Sequence, residues 1–148
     1  MTELTRRRDG TSTRERGHIY YGEVRVGSIG LRAGAPATST EPWEWSCGFD
    51  PPAHLGIVTG SAPSFNHARA AFEKAWKAYL PRCKGSDFDI WRRQQALVRW
   101  KYMMWEAACK LPTQMPNGRS RCFCGAEIEI RTMTEHIYSA HLAETDEI

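Results

Sequence analysis

A chain of 148 residues, 41% hydrophobic and 25% charged, has room for one medium domain, or for one domain with a small appendage. No apolar run approaches the roughly twenty residues of a membrane span, and the first seventeen residues are polar and arginine-bearing, without the apolar segment of a secretory leader. A membrane protein is therefore not expected, and a cytoplasmic location is.

The formal net charge of +3 is unevenly spread. Residues 66–110 hold ten Lys or Arg against four Asp or Glu, and residues 116–148 hold three Arg against six acids. The middle of the chain is basic and its end acidic, which points to different partners for the two parts. The five cysteines are an odd number, so a disulfide framework fits them less well than reduced thiols and a metal.

Residues 1–17 lack apolar content and read as a disordered basic arm. Its triplet Arg6, Arg7, Arg8 is a candidate contact for phosphate or for an acidic partner. From His18 to Ile29 the chain is rich in β-branched and aromatic residues, interrupted by glycines that suggest turns or bulges. Residues 33–40 read as a loop. Trp43, Trp45, Cys47 and Phe49 then alternate with Glu44, Ser46 and Gly48, the period of a half-buried strand, in which Cys47 serves as a small core hydrophobe. A third, weaker strand is expected from His54 or Leu55 to Thr59.

Ser64 is placed to cap a helix in which Phe65, Ala68, Phe72, Ala75, Trp76, Tyr79 and Leu80 recur at helical spacing until Pro81. A second helix is expected from Ser86, with Asp89 completing a capping box, to about Lys110. Its apolar residues form two neighbouring stripes, one through Ile90, Leu97, Met104 and Ala108, the other through Trp91, Val98, Tyr102, Trp105 and Cys109. Trp100 falls in neither stripe and is expected at an exposed contact surface. The fold class is therefore α+β: a three-stranded antiparallel sheet packed by two α-helices over residues 18–112. A linker at 113–119, a small zinc-finger-like ββα unit at 120–143 and an acidic tail at 144–148 follow.

That last unit names a chemistry. Cys122, Cys124, His136 and His141 are thiolate and imidazole ligands in the order of a structural Zn²⁺ site, with Ile128 and Met133 between them to form a small core. So short a segment cannot bury enough apolar surface to fold without a metal. The pair is C-x-C rather than the usual C-x₂₋₄-C. The five-residue step from His136 to His141 lies within the range for such sites if the last helical turn loosens, and Thr132 or Thr134 would cap that helix.

Cys124-Gly125, Ile128, Met133, His136-Ile137 and His141 resemble the pattern of the Ros/MucR bacterial single-finger regulators. The resemblance covers about twenty residues and implies DNA binding and transcriptional repression, with the four ligands carried over. In the base-reading positions of such a finger this chain has Glu129, Thr132 and Glu135. Two carboxylates there repel phosphate, so the finger reads as a structural or protein-contact module rather than an autonomous DNA reader. Residues 18–115, through the Tyr20–Gly27 and Trp43–Phe49 strands and the Phe65–Trp76 helix, resemble an uncharacterised family of small bacterial proteins. That resemblance implies the architecture alone.

Nucleic acid is expected on the basic helices instead, through Arg92, Arg93, Arg99 and Lys101 with the Arg6–Arg8 arm, since cations interleaved with aromatics suit it. The competing explanation is that the aromatics fill the core and the cations are its solvated face. No P-loop, dinucleotide turn or nucleophile elbow is present. A Cys47 dyad with His54 or His18 can be drawn, but the zinc ligands close their site. The expectation is a non-enzymatic zinc-containing adaptor or regulator that binds nucleic acid, with no small-molecule substrate. A pure protein-interaction module is the alternative, and a Cys/His hydrolase a remote one.

Overall fold

The structure is a computed structural model and describes residues 3–10 and 15–142. The acidic tail expected at 144–148 lies outside the described residues, as do parts of the N-terminal arm. The chain divides into two compact units, Met1–Trp91 and Arg92–Ile148. The division falls inside the second long helix rather than at the expected 113–119 linker.

The first unit is an antiparallel sheet of five strands in sequential order: β1 (Leu4–Arg8), β2 (Arg16–Tyr21), β3 (Val24–Leu31), β4 (Trp43–Cys47) and β5 (Val58–Ala62). The expected count of three strands is corrected for two physical reasons. The apolar run from His18 to Ile29 is a hairpin, split by a two-residue loop whose first residue, Gly22, takes φ 62°. A positive φ at the first loop position only suits the right-handed twist of the flanking strands. The arm also contributes a strand, because Leu4–Arg8 lies alongside β2 from Leu4 opposite Tyr21 to Arg8 opposite Gly17. Polar side chains do not prevent a strand when the backbone groups find partners in a ladder. The third expected strand occurs slightly later, at Val58–Ala62, with Ala53–Leu55 forming a 3₁₀ turn before it.

One face of the sheet is covered by α1 (Phe65–Tyr79) and by the first turns of α2 (Gly85–Glu106). Ser64 caps α1 as expected, its hydroxyl accepting the His67 N–H at 3.2 Å. Ala68, Phe72, Trp76 and Tyr79 of α1 pack on Ile19, Val26, Ile29 and Cys47. Phe72 can approach the sheet because Gly27 lies beneath it, where a Cβ would meet both the Phe72 ring and the Ser46 carbonyl. The Tyr79 hydroxyl donates to the Gly56 carbonyl at 2.9 Å, tying the helix to the loop ahead of β5. The opposite face is polar, with His18, Ser28, Ser46 and Thr59 in one cross-strand row.

Helix α2 begins one residue before the expected Ser86. Asp87 rather than Asp89 secures its start, accepting the Lys84 N–H at 2.7 Å. The helix ends at Glu106 in a Schellman motif. Cys109 N–H bonds to the Met104 carbonyl at 2.8 Å, Ala108 N–H to the Trp105 carbonyl at 3.0 Å, and Ala108 takes φ 56°.

In the second unit, the part of α2 from Arg92 onward packs against a hairpin of β6 (Arg119–Arg121) and β7 (Glu127–Glu129) and against α3 (Met133–Ala140). The core consists of Ala96, Trp100 and Met104 from one face of α2 with Cys122, Ile128 and Ile137. The expected exposure of Trp100 is thus reversed: it is 1% exposed. The ββα unit is present, and it gains as one wall a helix assigned by sequence to the larger domain. This enlarges a core that a segment of about thirty residues cannot supply alone.

Candidate metal centre

The β6–β7 hairpin turns tightly around its two cysteines. Cys122 N–H bonds to the Ala126 carbonyl and Gly125 N–H to the Cys122 carbonyl, each at 2.8 Å, with Gly125 at φ 97°. That left-handed position suits glycine and brings the Cys124 side chain back beside Cys122. His136 stands on α3. His141 is its C-cap at φ −123°, ψ 1°, with its N–H still bonded to the Ile137 carbonyl at 2.9 Å. On a regular helix a five-residue step separates two side chains by about 140°; the irregular C-cap removes this obstacle. Thr132 holds the N-cap position without a side-chain cap, its hydroxyl accepting the Glu129 N–H at 3.0 Å instead.

These turns bring all four expected ligands together. One donor atom from each of Cys122, Cys124, His136 and His141 lies within 4.8 Å of all the others, so the group can hold a metal ion. Cys122 Sγ is 3.4 Å from His141 Nε2, Cys124 Sγ is 3.5 Å from His136 Nε2, and the two Nε2 atoms are 3.2 Å apart. The short C-x-C spacing does not keep either sulfur out. Cys122 and His141 are buried, Cys124 is exposed and His136 half-buried.

Burial pushes the Cys122 thiol up, and the Cys124 backbone and the Trp100 N–H oppose that shift by stabilising its thiolate. Trp100 Nε1–H donates to Cys122 Sγ at 3.3 Å. Burial, followed by the neighbouring His141, pushes His136 down and favours the neutral imidazole that a metal requires. Sequence reasoning missed Trp100 as a support for the ligand sulfur. The signal was available in Ala96, Trp100 and Met104, which recur every four residues and so share one helix face.

The proposed nucleic-acid residues are divided between the two units. Arg6 and Arg7 point to opposite faces of β1, the first over the Phe65 ring at 4.6 Å and the second over Tyr20 at 4.7 Å. Arg8 is exposed. On α2, Arg93 lies over the Tyr138 ring at 5.4 Å, Arg92 and Arg99 are half-buried two turns apart, and Lys101 is exposed. Glu129, one of the acids in the base-reading positions, is engaged by Arg119 at 3.3 Å and Arg131 at 3.5 Å.

The Cys47 dyad drawn from the sequence as a remote alternative meets opposing chemistry. His54 Nε2 lies 3.4 Å from Asp87 and His18 Nε2 lies 3.2 Å from Asp9. Burial, with a smaller contribution from Cys83, pushes the Cys47 thiol up to about 12. A thiol so shifted supplies almost no nucleophilic thiolate near neutral pH. Among the described residues no helix is long and apolar enough to cross a membrane. No protein-family model, curated protein or solved structure matches the chain, so the ligand geometry alone gives this site its chemical meaning.

Proposed function

We propose that the chain is a non-enzymatic adaptor or regulator in which Cys122, Cys124, His136 and His141 hold a structural Zn²⁺ and the basic part of α2 binds nucleic acid. The ligand spacing carries the metal assignment. Zinc bonds of about 2.3 Å to sulfur and about 2.0–2.1 Å to nitrogen give tetrahedral edges of about 3.5 Å for S···N and about 3.3 Å for N···N. The corresponding distances here are 3.4 and 3.5 Å, and 3.2 Å. A two-sulfur, two-nitrogen tetrahedral donor set suits zinc among the common divalent ions. Four protein donors leave no position for substrate, which favours a structural over a catalytic role.

The nucleic-acid reading is supported by charge. The described residues from Arg92 to Leu142 hold eight Lys or Arg against four Glu, and two of the eight already engage Glu129. Metal analysis of the purified chain should find about one zinc per chain, lost on joint His136→Ala and His141→Ala substitution. Affinity for oligonucleotides should fall steeply between low and moderate salt, because binding releases the counterions condensed on the phosphates. No detectable binding at low salt refutes the nucleic-acid part, and retained metal in the double variant refutes the ligand assignment.

A further inference from the structure

Helix α2 carries a second apolar stripe within the metal unit. Val98, Tyr102 and Trp105 are 53%, 59% and 75% exposed. At 100° per residue they centre about 170° away from Ala96, Trp100 and Met104, which face the core. The Tyr102 and Trp105 rings lie 6.2 Å apart at an interplanar angle of 33°. Large aromatics are seldom left in water unless they serve a contact.

The flanks of the stripe are cationic. Lys101, exposed, lies about 70° to one side, and Arg99 with Arg92 lies about 100° to the other. Arg99 is half-buried, and its Nε finds no hydrogen-bond acceptor among the described residues. Glu106, the nearest carboxylate on the helix, is occupied by the Tyr102 hydroxyl at 2.7 Å.

We infer that this face is a stacking platform for single-stranded nucleic acid. Bases lie on Trp105 and Tyr102, and Lys101 and Arg99 take the flanking phosphates. The aromatics select the strand state, since a duplex buries its base faces in its own stack and presents only phosphate to such a surface, whereas a single strand offers every base face. Cations on both sides give the backbone a track along the helix. This inference rests on the nucleic-acid reading above and assigns it a ligand class and two residues that the basic patch did not include.

The test titrates the full zinc-loaded chain into a labelled single strand of about sixteen nucleotides and into the duplex of the same sequence, at two salt concentrations. The native chain should prefer the single strand. Trp105→Ala and Tyr102→Ala should each weaken single-strand binding about 5- to 100-fold and leave duplex binding within about twofold. Zinc content and circular dichroism should stay unchanged, because neither side chain belongs to the core. Salt-dependent binding of both forms with equal affinity, unaltered by Trp105→Ala, overturns the platform and leaves the nucleic-acid reading standing; the stripe is then a protein contact. Absence of binding to either form at low salt overturns both.

Discussion

Removing the indole N–H from the metal unit while keeping an aromatic in its place should weaken metal binding. In Trp100→Phe the donor lost is the one that reaches Cys122 Sγ at 3.3 Å in a buried setting. A hydrogen bond to a charged acceptor contributes about 1.5–3 kcal/mol, and removal of such an outer partner of a metal ligand typically lowers metal affinity about 10- to 100-fold. The smaller ring also leaves space against Ile128 and Ile137, which lowers stability whether or not the sulfur is affected. Cobalt separates the two effects, since the sulfur-to-cobalt charge-transfer band reports the electron density on the thiolates. Trp100→Phe should shift that band to lower energy and reduce affinity in a chelator competition. Met104→Ala, which removes buried volume from the same helix without touching sulfur, should cost about 2–5 kcal/mol of stability and leave the band in place. An unshifted band with affinity within twofold of the native chain would refute the role given to Trp100.

Chelation should unfold the metal unit and spare the first, which has its own core around Phe72 and Trp76; a near-ultraviolet spectrum lost throughout, or unchanged, contradicts this. Cys47 should resist alkylation near pH 8 and react only on unfolding, because its thiol is pushed up to about 12. Its neutral form stabilises the fold fully below the ordinary thiol range near 9, and that contribution is lost as pH rises toward about 12. Alkaline unfolding should therefore begin at higher pH in Cys47→Ala, measured against its own stability at pH 7. Ala108→Gly should raise stability by about 0.5–1 kcal/mol by relieving a left-handed Cβ conformation, net of the added freedom of the unfolded chain; a lower melting temperature would count against the Schellman end of α2.

The ligand set was legible because a metal site demands particular residue types in a short stretch. Both long helices were legible from their spacing, with Ser64 and Pro81 bounding the first. The N-terminal strand was hidden, since Arg6, Arg7 and Arg8 look solvated and only the ladder to β2 makes them a strand. The hairpin within residues 18–29 was obscured because Gly22 was one of several glycines, and a single positive φ decided which of them turned the chain. Helix α2 ended early because Ala108 took the left-handed position that glycine usually marks. Trp100 and Trp105 exchanged their expected environments for one reason. Both lie on an apolar helix, and which side faces the core depends on where the hairpin and α3 pack, which periodicity along one helix cannot specify.

The five-stranded sheet ends in two border strands of different character. β1 is one border strand and carries three consecutive arginines, and charge on a border strand discourages a strand of another molecule from adding there. The triplet that looked like a phosphate-seeking arm thus also guards against association. On β5, the strand Val58–Ala62 carries no charged residue, follows the exposed Ile57, and has the Glu41 carboxylate only at its far end, on Ser61 at 2.6 Å. Strand addition between copies, at concentrations high enough to drive it, is directed to this second border, and a lysine in place of Thr59 is the change that would close it.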